Sequence, residues 1–284
     1  MKLRSAKRRL RRLAWAAIAG LCLIGTAGAA DGSAHTACGR PVGMVDVAAV
    51  DHQMDLDLAD GRTVRLGGLD KPSLSRGSPD LVAAARSALT DLVVGKQAQL
   101  ILLASGADRW GRIIGDLALP TADGAASSLA ATLLRLGFAR VRPEFETRRC
   151  DGDRLAIETQ ARRAGVGLWR DPAFAVLSAD DEGRLRQFNG RFVIVEGKVR
   201  RVGFGRSRLY LDLGPRGGAT IVVERKLQPI LVGSENPVDA LVGRTIRARG
   251  ALDGRFGLDI AIADPAMIEF VRDPNLGRGE DLHP

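Results

Sequence analysis

Between Arg184 and Tyr210, eight basic side chains (Arg184, Arg186, Arg191, Lys198, Arg200, Arg201, Arg206 and Arg208) stand against one acid, Glu196, a local net charge of +7. Cations at that density can track the phosphates of a nucleic-acid backbone, and Phe204 and Tyr210 among them offer faces on which bases stack. The same run also fits a solvated basic face with two aromatics in the core, or a surface that meets anionic lipid or cell-wall polymers. Further upstream, Arg65 and Arg112 either pair with carboxylates, as exposed arginines usually do, or present paired donors to a phosphate. Asp70 before Lys71-Pro72 reads alternatively as a turn cap. Asp151-Gly152-Asp153 lacks the later ligands of a calcium loop and reads as a helix start. His52 reads as an exposed turn residue and Trp169 as a packing residue. Nothing in the sequence has zinc-ligand spacing or the form of a phosphate-cradling glycine loop with lysine.

Four segments in order carry a family resemblance. Asp60-Gly61-Arg62-Thr63-Val64-Arg65-Leu66-Gly67-Gly68-Leu69-Asp70-Lys71-Pro72 is similar to the strand-and-loop signature of thermonuclease-like (staphylococcal nuclease-like) proteins. Asp108-Arg109-Trp110-Gly111-Arg112 resembles that family's second arginine motif. Leu133–Val141 and Ala161–Trp169 resemble its late helix-and-strand segments. The resemblance implies an OB barrel and a calcium-dependent phosphodiesterase. Arg65 and Arg112 then match the positions that stabilise charge on the phosphoryl oxygens, Asp70 matches a metal ligand, and the Lys71 carbonyl matches another.

The departures from the pattern concern the catalytic carboxylates. The family's Asp-Gly-Asp-Thr turn corresponds to Asp51-His52-Gln53-Met54-Asp55, with Met54 at the ligand aspartate, or Gln53 or Asp55 if the register slips by one. The family's glutamate, one residue past the proline, is Ser73. Lys71 adds positive charge beside the metal position, so one sure carboxylate faces two arginines and a lysine, a balance that favours an anion over calcium. The expected function is therefore an exported protein that binds nucleic acid or another phosphate-rich polyanion, with Lys71, Arg200, Arg201, Arg206 and Arg208 as binding residues and hydrolysis weak or absent. Two alternatives stand beside it: an active metal-dependent endonuclease with a rearranged site that recruits Asp55 or Asp57, and an interaction module of the cell envelope.

Seven of the nine net positive charges of the 284-residue chain lie in the first 29 residues, which hold no acid. The apolar run Leu13–Ile24 and Ala27-Gly28-Ala29 follow, the layout of a signal peptide cleaved near Ala29. The remainder is nearly neutral, so the high isoelectric point mostly reports an export signal. The expectation is an exported protein, periplasmic or secreted, with membrane contact only through an uncleaved leader. Leu21 before Cys22 does not fit a lipoprotein signal. Only Cys38 and Cys150 then remain, and an oxidising compartment predicts a bond between them.

These residues must be held by short strands and helices. Gly43–Val50, Met54–Leu58, Thr63–Leu66, Gln97–Leu103 and Ile113–Leu119 read as strands, and Leu81–Val94, Ser128–Leu136 and Asp153–Ala164 as helices, a pattern compatible with an OB barrel over 38–170. Arg170–Gly183 lacks apolar periodicity, so 171–184 reads as a linker between separable domains. Arg191–Val202, Arg208–Leu213, Ala219–Val223, Thr245–Ala251 and Leu258–Ile262, with a short helix near Lys226–Val232, predict a second small OB-like β barrel over 185–272. The polar segment 273–284 reads as a disordered tail. The fold class expected is thus α+β, mainly β with helices.

Overall fold

The first strand shows how the sequence builds the barrel. In β1 (Arg40–Val50), Val45 and Val47 alternate inward, and a register shift between Val47 and Ala49 returns Val50 to the same face. A computed structural model describes residues 38–121, 126–215, 218–232 and 238–271. The predicted leader and the whole of the predicted tail lie outside the described residues.

β2 (Leu56–Leu58) and β3 (Thr63–Leu66) form a hairpin beside β1, and β5 (Gln97–Ala107) pairs with the other edge of β1. β6 (Ile113–Pro120) pairs antiparallel with β5 and parallel with β3, which closes a five-stranded barrel. The short β4 (Leu69–Asp70) pairs with β8 (Arg140–Val141), and β7 (Ala126–Ser128) extends the β6 edge. α1 (Pro79–Val93) starts at the Ser78 cap and buries Val82, Ala85, Leu89 and Val93, the spacing of one helical face. α2 (Leu129–Leu136) ends at Gly137 in the left-handed region, and α3 (Asp151–Ala164) ends at Gly165 in the same way. Cys38 and Cys150 are bonded, with Cα atoms 5.2 Å apart, and tie the start of β1 to the start of α3.

The second sheet contains β9 (Leu177–Ser178), α4 (Glu182–Gln187), β10 (Phe192–Lys198), β11 (Arg201–Phe204), β12 (Arg208–Asp212), β13 (Ala219–Glu224), α5 (Gln228–Val232), β14 (Thr245–Asp253), β15 (Leu258–Ile262) and β16 (Ile268–Phe270). Its strand order is β11-β12-β13-β15-β14-β10-β9, with β16 beside β14, and it curls around its own apolar core. The fold is therefore α+β, a closed OB-type barrel followed by a barrel-like second sheet. The predicted strand Arg191–Val202 is broken in two, because the backbone at Val199 and Arg200 leaves the β10 ladder to bond Arg244 and Asp212.

The segment read as a linker carries local structure of its own. Phe174, Leu177 and Ala179 are buried, β9 adds to β10, and the Asp181 side chain caps α4. These three are spaced too irregularly to show a period, yet each is buried. The two sheets are also joined by charge: Arg249 of β14, fully buried, donates to both Glu158 oxygens at 3.0 Å and to the Val141 carbonyl at 2.9 Å. All the described residues fall within one compact unit.

Candidate functional site

β3 turns Val64 and Leu66 into the barrel and Arg65 outward. The following Gly67-Gly68 loop passes close to α3: a Cβ on Gly68, whose φ is +73°, would lie 2.6 Å from an Arg154 guanidinium nitrogen, so only glycine fits there. That approach lets the Gly68 N–H donate to Glu144 at 3.1 Å, and Arg65 donates to both oxygens of the same carboxylate at 3.1 and 3.0 Å. The β5–β6 turn organises its own arginine. Asp108 accepts from the Trp110 and Arg112 amides and from Arg112 Nε at 2.9 Å. Arg65 Nε lies 3.8 Å from the same Asp108 oxygen, so the two sequence-identified arginines do converge.

The row continues inward. Arg112 also donates to buried Asp55 at 2.5 Å, and Lys71 Nζ donates to the other Asp55 oxygen at 2.9 Å and to the Met54 carbonyl at 2.7 Å. Acids and bases therefore alternate as Glu144, Arg65, Asp108, Arg112, Asp55 and Lys71, three charges of each sign. The expected excess of positive charge is corrected: Asp55, Asp108 and Glu144 neutralise the arginines and the lysine. Burial pushes the Lys71 ammonium below its ordinary range, with Asp55 and Asp51 pulling it back up. Burial also opposes the Arg112 charge, but Asp108 and Asp55 outweigh it and hold the guanidinium above its usual value. Asp108 is correspondingly held low: burial works to raise it, and the hydrogen bonds from Arg112 and Trp110 win.

Asp70 belongs to a different cluster. Buried Arg140 donates to one of its oxygens at 3.0 and 2.7 Å, and Arg76 donates to the other. Arg140 also reaches the Phe174 and Phe192 carbonyls at 3.3 and 2.9 Å, so Asp70 anchors a buried cation that holds the two sheets together. Met54 is buried with φ +58°, and the Ser73 hydroxyl lies 3.0 Å from that of Ser75.

A calcium ion does not fit this donor set. Both oxygens of Asp55 and of Asp70 are committed to cationic side chains, the Met54 carbonyl is taken by Lys71, and an arriving dication would meet those same cations. Among the described residues, no group of three or more acidic, histidine or cysteine side chains is arranged for a metal. Asp70 and Asp55, the expected ligands, both serve as ion-pair partners.

The basic run of the second sheet divides in two. Arg186 pairs with Glu182, Arg200 with Asp180 and Arg201 with Asp212, acids just outside or at the edge of the run. Arg206 and Arg208 have no side-chain hydrogen-bond or ion-pair partner among the described residues. They line a groove of about 490 Å³ with Ser207, Glu224, Arg225 and Lys226, of which Lys226 pairs with Glu224 at 2.6 Å. Tyr210 points outward from β12 beside them, its ring against Gly205, and Phe204 is 59% exposed. Glu144, Arg140, Arg225 and Lys226 were not singled out from the sequence. The first two meet their partners only through chain closure, since Glu144 lies 79 residues from Arg65 and Arg140 lies 70 from Asp70.

Residues 63–171 match the family model described as staphylococcal nuclease homologue. The match begins after the 51–55 turn. No curated protein matches the chain.

Proposed function

We propose that this chain, related over residues 63–171 to the staphylococcal nuclease homologues, is an exported protein that binds nucleic acid without calcium-dependent hydrolysis. Binding is through the outer face of the second sheet. The observation that carries the reading is the groove of Arg206, Arg208 and Arg225, three guanidiniums without partners among the described residues beside the outward Tyr210. Guanidiniums free of carboxylates can take phosphate oxygens in pairs, and an exposed tyrosine gives a base a stacking face. In the first barrel the equivalent arginines are held by carboxylates, so a phosphodiester must displace Glu144 or Asp108 to reach them. No general base stands at Ser73, and proton removal from the attacking water is commonly worth about 10²–10⁴-fold.

The test is equilibrium binding of a labelled oligothymidylate and of a duplex of equal length to the mature protein, with calcium and with chelator, scoring retention and cleavage together. Three free guanidiniums predict a logarithmic salt slope of roughly −2 on single strands, and Arg206→Gln with Arg208→Gln should reduce its steepness to about a third. Unchanged binding in that variant removes the groove from the reading. Calcium-dependent cleavage at the rate of a competent nuclease removes the non-hydrolytic part. It would favour the second reading, an active endonuclease with a rearranged site, which the meeting of Arg65 and Arg112 on Asp108 supports.

A further inference from the structure

A second basic cleft lies where the two sheets meet, and it shares no lining residue with the Arg65–Arg112 row or with the groove of the second sheet. It has a volume of about 440 Å³ and is lined by Arg76, Arg142, Arg191, Ser75, Phe192 and Asp70, among others. Arg76 comes from the turn after β4, Arg142 directly follows β8, and Arg191 directly precedes β10, so both sheets contribute. Asp70 is the acid among these residues, and its charge is already met by buried Arg140 behind it and by Arg76. An anion entering the cleft therefore encounters net positive charge.

The three guanidiniums are also oriented. Each lies near a phenyl ring: Arg76 at 5.7 Å from the Phe174 centroid, Arg142 at 5.5 Å from Phe192 and Arg191 at 5.7 Å from Phe188. A guanidinium resting against a ring keeps its in-plane N–H groups available for a bidentate acceptor. Arg142 and Arg191 have no side-chain hydrogen-bond or ion-pair partner among the described residues. Gathering like charges is unfavourable until a counter-charge joins them. The Ser75 hydroxyl adds a neutral donor at the edge.

We propose that this junction is a phosphoryl-binding site, in which Arg142 and Arg191 hold the phosphoryl oxygens with Arg76 and Ser75 in support. The phosphoryl group is carried either by a small phosphorylated molecule or by the 5′ end of a nucleic acid. Occupancy bridges loops of both sheets and so stabilises their junction.

The test uses the full mature chain and isothermal titration with pyrophosphate, together with two oligothymidylates that differ only in a 5′-phosphate. Pyrophosphate should bind the parent and raise its unfolding temperature. Arg142→Gln with Arg191→Gln should weaken that binding at least tenfold, while Arg206→Gln with Arg208→Gln should leave it unchanged. Arg142→Lys with Arg191→Lys keeps the charge but loses the paired donors, and should bind several-fold more weakly than the parent. Both arginine side chains are exposed, so the variants should fold, as the unfolding temperature without ligand will show. A 5′-phosphate preference that vanishes in R142Q/R191Q assigns the site to nucleic-acid ends; pyrophosphate binding without that preference assigns it to small phosphates. Absence of pyrophosphate binding by the parent, or equal binding by R142Q/R191Q, overturns the proposal. Either result leaves the groove of the second sheet to its own test.

Discussion

Replacing Asp70 by asparagine separates a structural anchor from a metal ligand. The change keeps the side-chain shape, so no cavity forms, but it removes the negative charge that faces buried Arg140. Burial already pushes the Arg140 guanidinium below its ordinary value, and Asp70 is the main group opposing that shift. Breaking one side of a buried ion pair typically costs about 3–5 kcal/mol, because the remaining charge is left uncompensated. For a chain of this size each kcal/mol moves the midpoint by about 2–4 °C, which gives a fall of roughly 10 °C. Thermal unfolding followed by circular dichroism reads it, in calcium and in chelator. The double variant Asp70→Leu with Arg140→Met should recover much of the loss, less the two carbonyl contacts at Phe174 and Phe192, each worth about 1 kcal/mol. A loss below about 1 kcal/mol for Asp70→Asn would refute the anchor role. So would a calcium-induced rise in the parent's midpoint that disappears in the variant.

Three further outcomes follow from buried groups elsewhere. Asp151 is buried with neither carboxylate oxygen hydrogen-bonded, and burial raises its pKa against the pull of Thr147 and Arg154. Its contribution is thus fully present below the ordinary aspartate range and is lost as pH rises through the raised folded value; Asp151→Asn should gain stability over the parent near pH 7, by about 1 kcal/mol, and lose that advantage below about pH 4 in urea titrations. Reducing the Cys38–Cys150 bond, which spans 112 residues of sequence, should lower stability by about 4 kcal/mol in a paired denaturation with and without reductant, and Cys38→Ser should match the reduced parent. Glu158→Gln removes the charge that both Arg249 and Arg162 contact, and should lower stability by about 3 kcal/mol while exposing 171–184 to trypsin; equal cleavage rates in parent and variant would count against that coupling.

The buried cross-sheet pairs also bear on domain separation. Phe174, Leu177 and Ala179 anchor the connecting segment, and Arg140 and Arg249 each reach from one sheet to the other. Two sheets with separate apolar cores are therefore joined by polar contacts that must form together. A free barrel released by cleavage would leave Glu158 without Arg249.

Local backbone rules made much of the molecule legible from sequence alone. Alternation identified β3 and β12, the stops at Gly137 and Gly165 bounded α2 and α3, and the two cysteines outside the expected leader predicted one bond. The ordered motifs around Arg65 and Arg112 were legible for the same reason, because a strand and a tight turn fix their own side chains within a few residues. What stands opposite those side chains was decided by tertiary structure. Asp55 lies 57 residues from Arg112, Glu144 lies 79 from Arg65 and Glu158 lies 91 from Arg249, so no local pattern records the pairings. The charge balance of a site is a sum over groups that chain closure brings within a few ångströms. Counting carboxylates along the metal-ligand positions left Lys71, Arg65 and Arg112 in excess; Asp108 of the local turn and, through closure of the barrel, Asp55 and Glu144 neutralise them.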